Sequence, residues 1–169
     1  CDLREGPLPV YATEETFRSL RRVYDYAFGG HPIPFSYFHP QPHVIHGPFE
    51  IGDLKITPFQ LPHGRITTTG LVFEQGGLKR LAYFSDCKEV IPPAVAFAQG
   101  VQVAVLDALR PEPHPTHMCL DEALTTARRI GADITYLTHL THHYDHDRDQ
   151  SELPPGVSLA WDGLRVRLD

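Results

Sequence analysis

"VQVAVLDALRPEPHPTHMCLDEALTTARRIGADITYLTH", residues 101–139, is the stretch that decides the fold class. Its first nine residues, "VQVAVLDAL", are an almost continuous apolar run, as expected for a strand covered on both faces. "LDEALTTARRIGA" follows as an amphipathic helix, with acids in its first turn, arginines in its last and Gly131 as its cap. "DITYLTHL" is then the next buried strand. Strand, helix, strand in that order predicts an α/β layered fold.

Working upstream, the period becomes that of strands. "LKITPFQLPHG" (54–64), "TTTGLVFE" (67–74) and "LKRLAYFSD" (78–86) read as three of them, with "QGG" as the hairpin between the last two. "PPAVAFAQG" (92–100) is a short helix with proline at its start and glycine at its end. A strand-rich middle followed by alternating elements predicts a mixed sheet. Nearer the start, "LPVYAT" reads as a short strand ending at an N-cap, Thr13. A helix follows through "EETFRSLRRVYDYAF", with Phe17, Leu20, Val23 and Tyr24 on one face and Gly29-Gly30 as its end. Residues 31–50 are rich in proline and histidine and cannot form a regular helix. At the other end, "VSLAWDGLRVRL" (157–168) predicts two closing strands about Asp162-Gly163.

The 169 residues fit one domain, taken as 1–169, that can bury a real core. A hydrophobic fraction of 41% and a charged fraction of 21% are those of a globular protein. The net charge of -6, with Lys and Arg scattered, argues against an extended phosphate-binding surface, so nucleic acid is not the favoured partner. No apolar run approaches the roughly 20 residues of a membrane span, and no signal pattern is present. Three cysteines are too few and too irregular for a disulfide framework, which favours a cytoplasmic location. The sequence has no Gly-rich phosphate loop, no Ser-His-Asp order and no CxxC.

Four polar residues sit where strands end: His63, Asp86, Asp107 and His139. In layered α/β folds the strand ends and the loops beyond them build the site. Imidazoles and carboxylates arriving there can converge on one point, and His with Asp is a ligand set for zinc or manganese. Taken singly, each reads rather as a hydrogen-bonded structural residue; four in succession weigh against that.

"LPHG" (61–64), "YFSDC" (83–87), "LDAL" (106–109), "HPTHM" (114–118), "DEAL" (121–124), "YLTHLTH" (136–142) and "AWDGL" (160–164), in this order, resemble the metallo-β-lactamase fold. Within it they are most similar to the PhnP-like phosphodiesterases. The resemblance implies an αββα sandwich with mixed sheets, of which this chain would be the C-terminal portion. It implies that His63 and His139 are metal ligands, that Asp86 bridges two metals, and that His117 donates a proton to the leaving group. His117 stands 22 residues before His139, as that role requires in the family, and this spacing prefers it to His114. Asp107 is expected as a partner orienting a ligand or as a strand-end cap. His142 matches a histidine of a structural zinc site. His43 and His46, in the proline-rich stretch where relatives have insertions contacting substrate, are weaker candidates. His31 and His39 read as solvated loop residues, and Cys87 as core.

The resemblance departs at the family's His-x-His-x-Asp-His signature, which is absent ahead of His63. "HYDH", residues 143–146, copies half of it, but only 23 residues follow His146. The stretch therefore reads as the last ligand strand followed by a histidine-rich loop, and the chain is expected to begin just after the signature. The implied protein is a binuclear phosphodiesterase using two divalent ions, zinc or manganese, on a small phosphodiester such as a cyclic ribose phosphate. The isolated chain is expected to be weak or inactive. A homodimer is a further expectation. The rival readings are a non-catalytic binding or assembly module of the same fold, and a relative of the tRNA 3′-processing nucleases.

Overall fold

A computed structural model describes residues 6–28 and 38–168, and its backbone contacts group into two compact units, Cys1–Pro48 and Phe49–Asp169. Cys1, the expected helix end at Gly29-Gly30, and His31 lie outside the described residues.

In the first unit, β1 (Leu8–Ala12) pairs in parallel with β2 (Pro40–Val44). Thr13 caps α1 (Glu14–Val23), its side chain accepting from the Thr16 N–H at 3.3 Å. The expected helix is broken at Tyr24, whose φ of -118° leaves the helical region, and a short α2 (Asp25–Phe28) restarts it. Of the expected apolar stripe only Phe17 is fully buried, with Phe28 edge-on at 6.4 Å; Val23 and Tyr24 are exposed. The proline-rich stretch is no helix, but part of it is a strand. His39 C=O accepts from Leu8 N–H, and Ile45 N–H donates to Ala12 C=O. Odd-numbered residues of β2 thus face β1, and Pro40 and Pro42, which have no N–H to donate, face away from it.

The second unit holds a seven-stranded sheet whose spatial order is the sequence order. Its strands are β3 (Phe49–Ile51), β4 (Leu54–His63), β5 (Ile66–Gln75), β6 (Leu78–Phe84), β7 (Val103–Asp107), β8 (Ile134–Thr138) and β9 (Val157–Leu159). β3 to β6 pair antiparallel and β6 to β9 parallel, so the sheet is mixed as expected. Gly76 and Gly77, with φ of 60° and 77°, make the two-residue turn between β5 and β6 that twisted strands demand. β4 is therefore parallel in direction to β6, β7, β8 and β9, and all five strands finish at one edge.

The parallel strands are joined by α3 (Pro92–Ala98) and α4 (Leu120–Ile130), with α5 (His146–Glu152) before β9. Alternate residues along each strand share a face. Ala82 and Phe84, Ala104 and Leu106, Leu137 and Leu159 thereby join Ala94, Ala98, Ala123 and Ile130 of the helices in one buried cluster. Small side chains on α3 and α4 let these helices lie close to the sheet. Gly70 serves the same purpose inside it: a Cβ there would come 2.6 Å from the Phe84 ring and 2.7 Å from Leu61.

Two expectations fail at the C-terminal end. His146 belongs to α5 rather than to a loop, because Asp145 caps the helix by accepting from Arg148 N–H at 3.0 Å. No residue of α5 is buried, so the apolar period that announces a helix is missing. The second closing strand is also absent among the described residues. Asp162-Gly163 does form a turn, with Leu164 N–H donating to Trp161 C=O, but residues 165–168 join no ladder. Alternating side chains suggest a strand; only a partner makes one.

Candidate metal centre

The common edge of the sheet collects the side chains. His63 is the last residue of β4, Asp86 lies just past β6, Asp107 ends β7 and His139 follows β8. Asp86 and His139 turn sharply there, with φ of 58° and 62°, the left-handed region that non-glycine residues avoid. Strain of this kind, on the order of 1–3 kcal/mol per residue, concentrates at functional sites. Both residues are the ones whose side chains meet at the centre.

One carboxylate oxygen, Asp86 Oδ1, lies 3.6 Å from His63 Nε2, 3.6 Å from His117 Nδ1 and 3.7 Å from His139 Nε2. These are too long for hydrogen bonds. Metal–ligand bonds of about 2.0–2.2 Å at tetrahedral angles would set neighbouring ligand atoms roughly 3.4 Å apart. The spacing therefore suits ligands around a shared cation. Potential ligand atoms of His63, Asp86 and His117 all fall within 4.8 Å of one another.

The ring nitrogens are committed differently. His63 Nδ1 donates to the Thr116 carbonyl at 3.0 Å, which leaves its Nε2 lone pair facing Asp86. His117 Nδ1 is held by Asp107 Oδ2 at 2.9 Å. Asp107 is fully buried, and its carboxylate also accepts from Cys87 N–H at 2.9 Å and Leu109 N–H at 3.0 Å. Three donors compensate the buried charge. Asp107 thus accepts backbone N–H groups beyond its strand and holds the ring of His117, which is not one of the residues expected as ligands.

The loops that carry these residues are tied to one another. Met118 N–H donates to Cys87 C=O, Leu109 N–H to Met118 C=O and Thr141 N–H to Leu109 C=O. Lys88 N–H reaches the Pro62 carbonyl, and its ammonium meets both oxygens of Glu122, at 2.6 and 2.8 Å, and the His117 carbonyl at 3.4 Å. Desolvation would raise the Glu122 pKa, but the Lys88 hydrogen bond and the Cys119 N–H hold it below its ordinary value. Gly64, with φ of 62°, lets the β4–β5 turn close on this loop: a Cβ would come 2.7 Å from Thr116 Cγ2.

His114 and Cys87 stand beside these residues. His114 packs its ring 5.0 Å from that of His117 and accepts the Thr116 N–H; desolvation, then the nearby His117, Arg110 and Lys88, push it below the ordinary imidazole range. Burial, then Asp107 and Asp86, push the Cys87 thiol up to about 12, so it stays protonated, as a core residue should. His142 is exposed against the His143 ring, at 4.5 Å, and among the described residues joins no group of three potential ligands. His43 lies in β2, not in a loop, stacked on Tyr11 at 4.7 Å; His46 is exposed beyond that strand. Thr116 and Lys88 were not foreseen. Nothing in the residues around a threonine or lysine marks a backbone carbonyl or an ammonium that braces a neighbouring loop.

Comparison with known proteins agrees with this architecture. A family model described as a beta-lactamase superfamily domain matches residues 1–140. A diphosphatase of the PhnP family is 30% identical, with a TM-score of 0.84 over 97% of this chain and 60% of that one. The short form of human tRNase Z superposes with a TM-score of 0.72 over 99% of this chain and 70% of that one, at 17% identity, which shows a shared fold. The octanoyltransferase of Porphyromonas gingivalis (strain ATCC BAA-308 / W83) is 27% identical over 168 residues, 96% of this chain but 32% of that protein. The chain thus spans about a third of this curated relative and 60% of the diphosphatase.

Proposed function

The chain belongs to the beta-lactamase superfamily, and from that premise we propose that it forms part of a metal-dependent phosphodiesterase acting on a small phosphodiester. In this reading His63, Asp86 and His139 bind divalent ions, zinc or manganese, with Asp86 bridging a pair of them. The observation that carries it is the approach of His63 Nε2 and His139 Nε2 to one oxygen of Asp86, at 3.6 and 3.7 Å. Bound there, the ions would polarise the phosphoryl group and generate a nucleophile from water at neutral pH.

The chain's own residues do the rest. Thr116 fixes the ring of His63 through Nδ1 and so presents Nε2. Asp107 holds Nδ1 of His117, which leaves Nε2 as the nitrogen that carries a proton to the departing oxygen. An imidazole suits that task near neutrality. A His117 so engaged is a proton donor rather than a third ligand, because binding a cation through Nδ1 would break its bond to Asp107.

The test supplies zinc or manganese with bis-p-nitrophenyl phosphate to the longest natural form of the protein, and counts bound metal by elemental analysis. Asp86→Ala is expected to lower both metal content and rate. Unchanged metal content in that variant, with no hydrolysis by the parent protein, would end the reading. Less than one metal per chain in the natural product would favour the non-catalytic module instead. A tRNA substrate is disfavoured by the net charge of -6.

A further inference from the structure

We propose that Thr68 is a positioning residue for the metal centre: its hydroxyl clamps the strained backbone of Asp86, so that the carboxylate is in place before a cation arrives. The inference rests on the metal-dependent reading for its cation and on independent hydrogen-bond geometry for the clamp.

Asp86 is held differently from its neighbours. Thr116 fixes the ring of His63 and Asp107 that of His117, each through a ring nitrogen. The Asp86 side chain is 48% exposed, and among the described residues its carboxylate receives no hydrogen bond, the three imidazoles standing at 3.6 to 3.7 Å. Its backbone alone can place it, and that backbone sits at φ of 58°, where a non-glycine residue is strained. The peptide that joins Asp86 to Cys87 is gripped at both polar atoms. Its carbonyl accepts from the Thr68 hydroxyl at 2.9 Å, and its N–H donates to Asp107 Oδ2 at 2.9 Å. Thr68 belongs to β5 and Asp107 to β7, the two strands that flank β6. Relaxation of Asp86 toward the extended region would turn this peptide and break both bonds.

The position of Thr68 in its strand argues that the hydroxyl has a purpose. Alternate residues share a face, so Thr68 goes with Gly70 and Val72, and it pairs with Leu61. Leu61 and Val72 are fully buried, and valine would suit such a face better than a hydroxyl that has to be satisfied. Thr67 and Thr69 belong to the other face, where both bond to the Gln60 side chain, at 3.0 and 3.3 Å. Of the three consecutive threonines, Thr68 is the one that reaches the loop beyond β6. It also differs from Asp107 in a useful way: it touches the clamped peptide without holding His117, so its removal tests the clamp separately from the histidine.

Zinc affinity tests the role without any substrate, by competition against a chromophoric chelator in the longest natural form of the protein. Thr68→Val keeps the shape and removes the hydroxyl; it is expected to weaken zinc binding about tenfold, the usual scale for losing one orienting hydrogen bond. Thr68→Ser, which restores the donor, should bind within about twofold of the parent. Thr69→Val, on the other face of β5, should bind as the parent does. A second measurement needs no metal. With a chelator present, Thr68→Val should speed hydrogen exchange at the Cys87 N–H about tenfold while amides within β8 keep their rates. Parent-like zinc affinity in Thr68→Val, an equal loss in Thr69→Val, or no recovery with serine overturns the positioning role. A parent protein that binds no zinc ends the metal reading and takes the positioning role with it, and Cys87 exchange then tells whether the clamp itself exists.

Discussion

The two halves of the seven-stranded sheet present functional groups in different ways. From β6 to β9 every strand runs in the same direction, and each one ends at the site edge: Asp86, Asp107 and His139 follow one another across the sheet. From β3 to β5 directions alternate, so only β4 contributes a strand end, His63, and β5 starts where β4 stops. The parallel half is costly to build, because each return requires a crossover. What it provides is a row of convergent loops. The antiparallel half closes cheaply through short turns, extends the core and adds one ligand from the flank. The contrast teaches that chemistry density in this unit follows strand direction, and it can be tested residue by residue.

The largest effect should come from the parallel half. Asp107→Ala removes a fully buried carboxylate, orphans the Cys87 N–H and the His117 ring, and leaves Leu109 N–H with the Met118 carbonyl alone. A stability loss of about 3–5 kcal/mol is expected from breaking such a buried cluster, read as a lower urea midpoint at unchanged slope. A loss under about 1 kcal/mol would mean that the loops beyond β6 and β7 do not depend on this residue.

Next, Leu61→Ala in β4 and Leu137→Ala in β8 compare the halves as packing. Both residues are 0% exposed and belong to the same cluster. Each should cost about 2–4 kcal/mol, and the two should agree within about 1 kcal/mol, because one core serves both halves. A large disparity in denaturation midpoints would split the sheet into independent folding regions.

A smaller effect of opposite sign is expected at the turns. Asp86→Gly relieves a left-handed φ of 58° and should stabilise the metal-free protein by about 1 kcal/mol, while metal content falls. Thermal melting with a chelator measures the first and elemental analysis the second. Destabilisation by glycine would show that Asp86 serves the fold rather than the centre.

The smallest effect concerns acid. Glu122 is held below its ordinary value of 4.5 by Lys88, so folding gains from its ionised form at neutral pH and loses that gain as pH falls through the acid range. Lys88→Met should lower stability modestly at neutral pH, since the pair is partly exposed, and make no difference once Glu122 is protonated, so that the acid limb of the profile is flatter. An unchanged acid limb would remove the Lys88 brace from the description.

Much of this could be read from local pattern. The apolar run at 103–107, the capped helix at 120–130 and the glycine pair at 76–77 each carry their structure in adjacent residues, and all three elements formed as expected. His63, Asp86, Asp107 and His139 were visible as polar residues ending apolar runs. What local pattern missed was either unpatterned or dependent on a partner. α5 has no buried face to announce it, β2 hides its strand behind two prolines, and residues 165–168 alternate like a strand without joining a ladder. The Lys88 and Thr116 braces join residues far apart in the chain through an ammonium and a backbone carbonyl, groups whose partners no spacing specifies.

By itself, then, the sequence determined most of the strands and helices from β4 to β9, α5 excepted, and which titratable side chains stand at strand ends. Periodicity and capping act within a few residues, and a short window of sequence contains all of their causes. Only the tertiary structure decided that β4 runs with the parallel strands and that four imidazoles and two carboxylates meet at one edge. Those outcomes depend on strand order and direction, which are fixed by burying the whole sheet against its helices and not by any single stretch of chain.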